Sequence, residues 1–248
     1  MVLAYRFSIR GPFHSVVATE PMTLPLVSSL GTVAQPLARP VRPAALYASA
    51  KRVLDILVAL VMLITLSPLF LAIAIAIRLD SPGPVFYRGE RVGRYGKRFR
   101  VVKFRSMRAN ADSGAHAAFL RELMRETTPC AIYKVPCDAR VTRVGRMLRR
   151  TSLDELPQLW NVLLGDMSLV GPRPDVAYAV ADYAAWMQRR LVVPPGLTGL
   201  WQVSGRSRLS LMDMYRLDVE YAERASLRLD LGILLRTIPV VLSRDGAE

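Results

Sequence analysis

The chain has 248 residues, enough for one domain with additions or two small ones, and ample for a core that needs no disulfide or metal support. Two cysteines, Cys130 and Cys137, and two histidines, His14 and His116, exclude a secreted disulfide scaffold and a zinc cluster. A formal charge of +14, from 34 Lys and Arg against 20 Asp and Glu, calls for an anionic partner: nucleic acid, an acidic membrane surface or a phosphorylated substrate.

Residues 1–50 contain six prolines and no sustained period, and are expected to form a disordered lead. They lack the succession of basic, apolar and small residues that marks a secretory signal. Residues 53–77 are different: only Asp55, Thr65, Ser67 and Pro68 among these 25 are not apolar. As one helix the stretch would measure roughly 38 Å, against about 30 Å for a bilayer core. The mean hydropathy of the chain, +0.24, is high for its charge content, so residues 51–79 are expected in a membrane; a long buried helix is the alternative. Pro68 has no N–H and leaves the carbonyl of Ile64 without its helical partner, and Ser67 offers a hydroxyl at the break. Both flanks are basic, with Arg39, Arg42, Lys51 and Arg52 before and Arg78, Arg88, Arg91 and Arg94 after. The positive-inside bias then favours a re-entrant helix-break-helix over a kinked span.

Ser81-Pro82-Gly83-Pro84 is a turn, followed by Val85-Phe86-Tyr87. Phe99 and Val101 alternate with Arg98, Arg100 and Val102, which predicts a strand returning from a turn at Tyr95-Gly96. Residues 88–108 hold nine basic residues against one acid, Glu90. Residues 110–136 are weakly patterned helix and loop. Arg140, Arg143, Arg146 and Arg149 then recur every three residues opposite Val141, Val144 and Leu148, which predicts a helix. A second helix is expected from Thr151-Ser152-Leu153-Asp154-Glu155 through Leu163 to Gly165. Gly171-Pro172-Arg173-Pro174 reads as a rigid loop, a helix follows through Tyr178 and Trp186, and a Gly/Trp-rich loop runs to Arg206. Residues 227–242 form an apolar helix that either lies in a membrane interface or closes the core.

Few residues offer chemistry. The glycines at 89, 93 and 96 fit neither a dinucleotide fingerprint nor a Walker loop, and no Gly-x-Ser-x-Gly elbow or RNA-binding signature is present. Asp154 and Glu155 remain. Both fall at an expected helix start, with Arg149 and Arg150 upstream and Arg173 downstream. Carboxylates in a field of that sign sit where a diphosphate would also dock. Ser152 through Glu155 equally matches a capping box, although Pro157 sits better inside a turn capped by Asp154.

Several blocks occur in a fixed order: Lys51-Arg52 up to the Ser67-Pro68 break, Asp80-Ser81-Pro82-Gly83-Pro84-Val85-Phe86, Lys103-Phe104-Arg105-Ser106-Met107, Arg149-Arg150-Thr151-Ser152-Leu153-Asp154-Glu155-Leu156-Pro157-Gln158, Gly165-Asp166-Met167-Ser168-Leu169-Val170-Gly171-Pro172-Arg173-Pro174 and Gly199-Leu200-Trp201-Gln202-Val203-Ser204-Gly205-Arg206. In these the chain resembles the bacterial sugar transferase family, the monotopic polyprenyl-phosphate phosphoglycosyl transferases, over residues 50–248. It is similar to the compact, exopolysaccharide-type class.

The resemblance implies an α+β, predominantly helical chain: a lead over 1–50, a re-entrant membrane helix over 51–79, and a cytoplasmic catalytic domain over 80–248 with a small β-hairpin and interfacial helices. It implies an enzyme of the bacterial inner membrane, its catalytic domain on the cytoplasmic face. A hexose 1-phosphate, of galactose or glucose, would pass from a UDP-sugar to undecaprenyl phosphate, with UMP released and a surface glycan begun. Asp154 would be the nucleophile, carrying a phosphosugar-aspartyl intermediate, and Glu155 its helper. Both would hold Mg2+. Lys103, Arg149 and Arg173 would contact phosphate, and Asp218 and Gln202 would join them in binding substrate. No nucleic-acid partner is implied, and a homodimer is left open. The rival class is a non-catalytic basic protein bound to membrane or nucleic acid. The chain departs from the family pattern at Tyr95, at Asp138-Ala139-Arg140 and around Cys130 and Cys137, all away from the dyad.

Overall fold

The structure is a computed structural model and describes residues 45–108 and 140–243. Both cysteines, both histidines, most of the lead and the weakly patterned stretch lie outside the described residues. Helix α1 covers Ala45–Thr65, so residues 45–50 open this helix instead of ending a lead. Helix α2 covers Ser67–Asp80. The two meet at a 61° bend. At that bend the Ser67 hydroxyl donates to the Ile64 carbonyl at 2.8 Å, taking the bond that Pro68 cannot make.

Helix α1 is mostly apolar and docks through polar residues as well as through Val58, Ala59, Met62 and Leu63. Lys51, Asp55 and Ala59, four residues apart, are its buried positions. Asp55 accepts the backbone N–H of Leu169 at 3.0 Å, and Lys51 pairs with Asp230 at 2.9 Å. Arg52 caps another helix, donating to the carbonyls of Val162 and Leu163 at 2.5 and 2.7 Å. Lys51 and Arg52, counted in the sequence as a topology signal, therefore serve internal contacts. Leu57, Leu60, Val61 and Ile64 on α1 stay exposed, as do Leu69, Leu71, Ile75 and Leu79 on α2.

The expected hairpin forms from β1 (Phe86–Val92) and β2 (Arg98–Phe104), antiparallel, with Arg88 opposite Val102. Its turn places Tyr95 and Gly96 at φ 56° and 80°. Phe99 and Val101 face the core, as their alternation requires. Phe104 packs with Ile73, Ile77 and Leu148 beneath α3 (Arg143–Thr151). Thr142 caps α3, its hydroxyl accepting from the Gly145 N–H at 3.0 Å.

Between α3 and α4 (Leu159–Leu164) the expected helix start is absent. Leu153–Gln158 form a 3₁₀ turn, and Ser152 sits at φ 57° with no side-chain capping bond. Ser152 thus ends α3 in a left-handed conformation, so the capping box does not form, and Pro157 is accommodated within the 3₁₀ turn. Two three-residue strands, β3 (Ser168–Val170) and β4 (Gly196–Thr198), pair in parallel, the second where the sequence indicated a loop. The helix expected through Trp186 is short: α5 covers only Ala177–Ala181, and a 3₁₀ turn covers Met187–Val192. Helices α6 (Leu200–Ser204), α7 (Leu211–Arg224) and α8 (Leu227–Ser243) complete the described chain, the last as expected. On α8, Leu231, Leu235, Ile238 and Leu242 are exposed while Ile233 is buried in the main core.

Gly145 lets α3 lie against the end of β2, since a β-carbon there would stand 2.0 Å from the Ser106 carbonyl oxygen. Gly145→Ala should lower stability by about 1–3 kcal/mol through overpacking. Chemical denaturation of the purified protein in detergent would measure this; an unchanged midpoint would contradict the contact.

Candidate functional site

Four separate elements bring their side chains together around the 3₁₀ turn. Lys103 shares the inward parity of Phe99 and Val101 on β2, which carries a lysine to the buried side of the strand. Its Nζ donates to Glu155 Oε1 at 2.9 Å. Arg173, in the loop after β3, forks onto the same carboxylate, with Nη1 to Oε2 at 3.0 Å and Nη2 to Oε1 at 2.5 Å. Such bidentate pairing is the stronger form of a charge-assisted bond. Arg149, on the last turn of α3, is steered by a 3.0 Å bond from Nε to Ser106 Oγ. Arg206, at φ 52° after α6, reaches the turn from another side and donates to Ser152 Oγ at 3.3 Å.

The two neighbouring carboxyls are electrostatically unlike. Burial pushes Glu155 up, but Arg173 and Lys103 outweigh it and hold the group well below its ordinary range. Burial and the Glu155 charge push Asp154 up to about 6, against the opposing pull of Lys103, Arg149 and Arg173. Among the described residues none hydrogen-bonds the Asp154 carboxylate. One member of the pair is thus a fixed anion, and the other is a more basic, unbonded carboxylate in a positive field. Burial also lowers Lys103, partly countered by Glu155.

The turn is held against β2 by Asn161, which sequence reasoning missed. This buried residue donates to the Arg100 carbonyl at 2.8 Å and accepts the Val102 N–H at 3.0 Å, replacing a strand neighbour. No motif pointed to it, because an asparagine inside an apolar helix has no distinctive spacing.

Asp218 and Gln202 do not hydrogen-bond the dyad. Asp218 is 1% exposed and pairs with Arg190 at 2.5 Å; Gln202 donates to the Leu197 carbonyl at 3.1 Å. Each keeps one buried oxygen, Asp218 Oδ1 and Gln202 Oε1, without a hydrogen-bond partner among the described residues.

No group of three or more His, Cys, Asp or Glu able to hold a metal occurs among the described residues. Two adjacent carboxylates are nevertheless what magnesium takes from a protein when phosphate and water complete its shell. A carboxylate has about four acceptor sites. Glu155 spends three of these on Lys103 and Arg173, and Asp154 spends none, so the donor set fits.

In metal-free protein labelled with 13C-aspartate, the Asp154 carboxyl should titrate near 6. Lys103→Met should move that midpoint upward, since a cation favouring the anion is gone. A midpoint near 4, or a downward shift, would contradict the field described.

The sequence profile described as bacterial sugar transferase matches residues 46–244. The chain is 43% identical to the undecaprenyl-phosphate galactose phosphotransferase of Salmonella typhimurium, over 79% of this chain and 41% of that one. It is 43% identical to the UDP-glucose:undecaprenyl-phosphate glucose-1-phosphate transferase of Caulobacter vibrioides, over 79% of this chain and 71% of that one. With the exopolysaccharide production protein ExoY of Sinorhizobium fredii it shares 42% identity, over 80% of this chain and 88% of that one. The chain thus spans about two fifths of the Salmonella relative but most of ExoY. With a profile match that takes in the re-entrant candidate, the hairpin, the dyad and the final helix, the chain belongs to the bacterial sugar transferase family.

Proposed function

We propose that the chain transfers a hexose 1-phosphate, of galactose or glucose, from a UDP-sugar to undecaprenyl phosphate, releasing UMP and starting an exopolysaccharide or another surface glycan. The observation that carries this reading is the division of the dyad: Glu155 is paired with Lys103 and Arg173, while Asp154 has no hydrogen-bond partner among the described residues and is the more basic of the two. The names of the Salmonella and Caulobacter relatives describe transfers of this class.

Asp154 Oδ attacks the β-phosphorus of the donor. The bond from that phosphorus to the bridging oxygen breaks, and UMP leaves with the oxygen and its electron pair. Hexose phosphate remains on Asp154 as an acyl phosphate. An oxygen of undecaprenyl phosphate then attacks the same phosphorus, forming the new diphosphate and restoring the carboxylate. Dividing the displacement keeps two bulky anions from meeting in one step. Lys103, Arg149 and Arg173 offset repulsion between the carboxylate and the incoming diphosphate. Mg2+, held by Asp154 and Glu155, would supply further neutralisation of the diphosphate charge. Gln202 Oε1 and Asp218 Oδ1, buried and without a hydrogen-bond partner among the described residues, are the acceptors these two residues would offer a substrate hydroxyl.

The bent pair α1 and α2 enters the bilayer and returns, leaving the remaining domain on the cytoplasmic face of the bacterial inner membrane. The 61° bend, the Ser67 bond across it and the exposed apolar side chains on both arms support this topology. Trp160 and Leu164, exposed on the helix that continues from the dyad's turn, suit a site close to lipid.

Membranes containing the protein, given UDP-hexose and undecaprenyl phosphate, should release UMP, and Asp154→Asn should reduce this by about 10³-fold or more. Stopping the wild type before acceptor is added should show the mass of a hexose phosphate on the peptide containing Asp154. Product accumulating without that adduct would remove Asp154 as nucleophile. Single cysteines at positions 48 and 90 should be labelled from the same side of the membrane. Labelling from opposite sides would mean a span, and Pro68→Ala should move part of the population toward that state.

A further inference from the structure

The Arg173 guanidinium faces Glu155, but its backbone is gripped from behind. Arg190, in the 3₁₀ turn Met187–Val192, is 3% exposed. Its Nη2 donates to the Arg173 carbonyl and to Asp218 Oδ2, both at 2.5 Å. Its Nε donates to the same Asp218 oxygen at 3.1 Å, and its Nη1 to the Tyr183 hydroxyl. The hydroxyls of Tyr183 and Tyr215 in turn donate to Asp175 Oδ2 at 2.9 and 2.7 Å. Asp175 also lies in the Arg173 loop, and its carbonyl accepts the Val92 N–H from the end of β1 at 2.9 Å. The guanidinium stands 5.0 Å from the Tyr215 ring centre and 5.7 Å from that of Tyr183.

One planar group therefore fastens the loop at Arg173 directly and at Asp175 through the Tyr183 hydroxyl and an ion pair at 3.9 Å. Burying an Arg–Asp pair is a poor way to gain stability, because desolvation offsets the attraction and apolar residues of similar volume pack as well. What the guanidinium supplies is direction, with donors aimed at three partners in one plane. Its output is the position of the Arg173 backbone. A bidentate fork tolerates little displacement of that backbone, and a misplacement of about 1 Å can cost about 10²-fold in rate.

We propose that Arg190, braced by Asp218 and Tyr183, is a positioning residue of the transferase site that holds the Arg173 backbone so its guanidinium stays forked on Glu155. This rests on the phosphoglycosyl transfer proposed above. Arg190 bonds neither carboxylate of the dyad, and its bond to the Arg173 carbonyl is the path by which it acts on Glu155.

The test uses the full chain in nanodiscs. Arg190→Lys keeps a cation beside Asp218, but one ammonium cannot span Asp218, Tyr183 and the Arg173 carbonyl together. Hydrogen exchange in peptides covering 171–176 should quicken several-fold, with the hairpin at 86–104 unchanged. UMP release should fall by about 10- to 100-fold in kcat, with KM for the UDP-sugar changed by less than about threefold. Adding Arg190→Lys to Arg173→Lys should cost little more than Arg173→Lys alone, the mark of a shared path. Tyr183→Phe, a milder change, should produce a smaller loss of the same kind. Multiplying losses in the double variant, or unchanged exchange at 171–176, would overturn the proposal. A wild type that turns over no UDP-sugar would instead sink the activity reading, while exchange in Arg190→Lys would still decide whether Arg190 anchors the loop.

Discussion

A carboxylate shared between two cations organises the site. Glu155 takes Lys103 from one side and the Arg173 fork from the other, so its charge is fixed and largely neutralised. Asp154, one residue away, shares the field but not the bonds. Coulomb attraction within a partly buried site is strong enough to separate two like groups into different roles. Had both cations lain on Asp154, the pair would have been reversed, with the same residues and a different chemistry.

The cations are held by structure as specific as their own contacts. Lys103 stands on a strand whose free edge is closed by Asn161, and Arg173 stands on a loop fastened by Arg190. Helix α1 is tied to the same body by Lys51, Arg52 and Asp55, so the membrane-entering candidate and the dyad belong to one connected framework. Buried polar groups of this kind are costly when unpaired. Here the Asp55 carboxylate takes an N–H from β3, and the Lys51 ammonium takes Asp230.

Much of the fold was legible from local pattern. The break at Ser67-Pro68, the hairpin turn at Tyr95-Gly96, the arginine helix and the final helix all follow from contacts a few residues apart. Where local reading failed, either a competing local arrangement or a distant contact had prevailed. The start expected at Ser152 became a 3₁₀ turn because Ser152 closes the preceding helix in a left-handed conformation. Strands β3 and β4 are only three residues each, too short to show a period, and they pair across residues 168–198. Flanking charges also have a second use, since Lys51 and Arg52 hold internal partners that the sequence does not reveal. Of the site, Asp154, Glu155, Lys103, Arg149 and Arg173 were named from sequence and do cluster, whereas Asn161, Arg190 and Arg206 carry no motif of their own.

The sequence by itself determined where the chain bends, which strand turns back and which acids are adjacent, because each depends on backbone bonds and side-chain parity between near neighbours. Only the tertiary structure decided which acid is neutralised and which is left basic. That outcome depends on distances between side chains 18 and 52 residues apart in the chain, and electrostatic energy is set by separation in space.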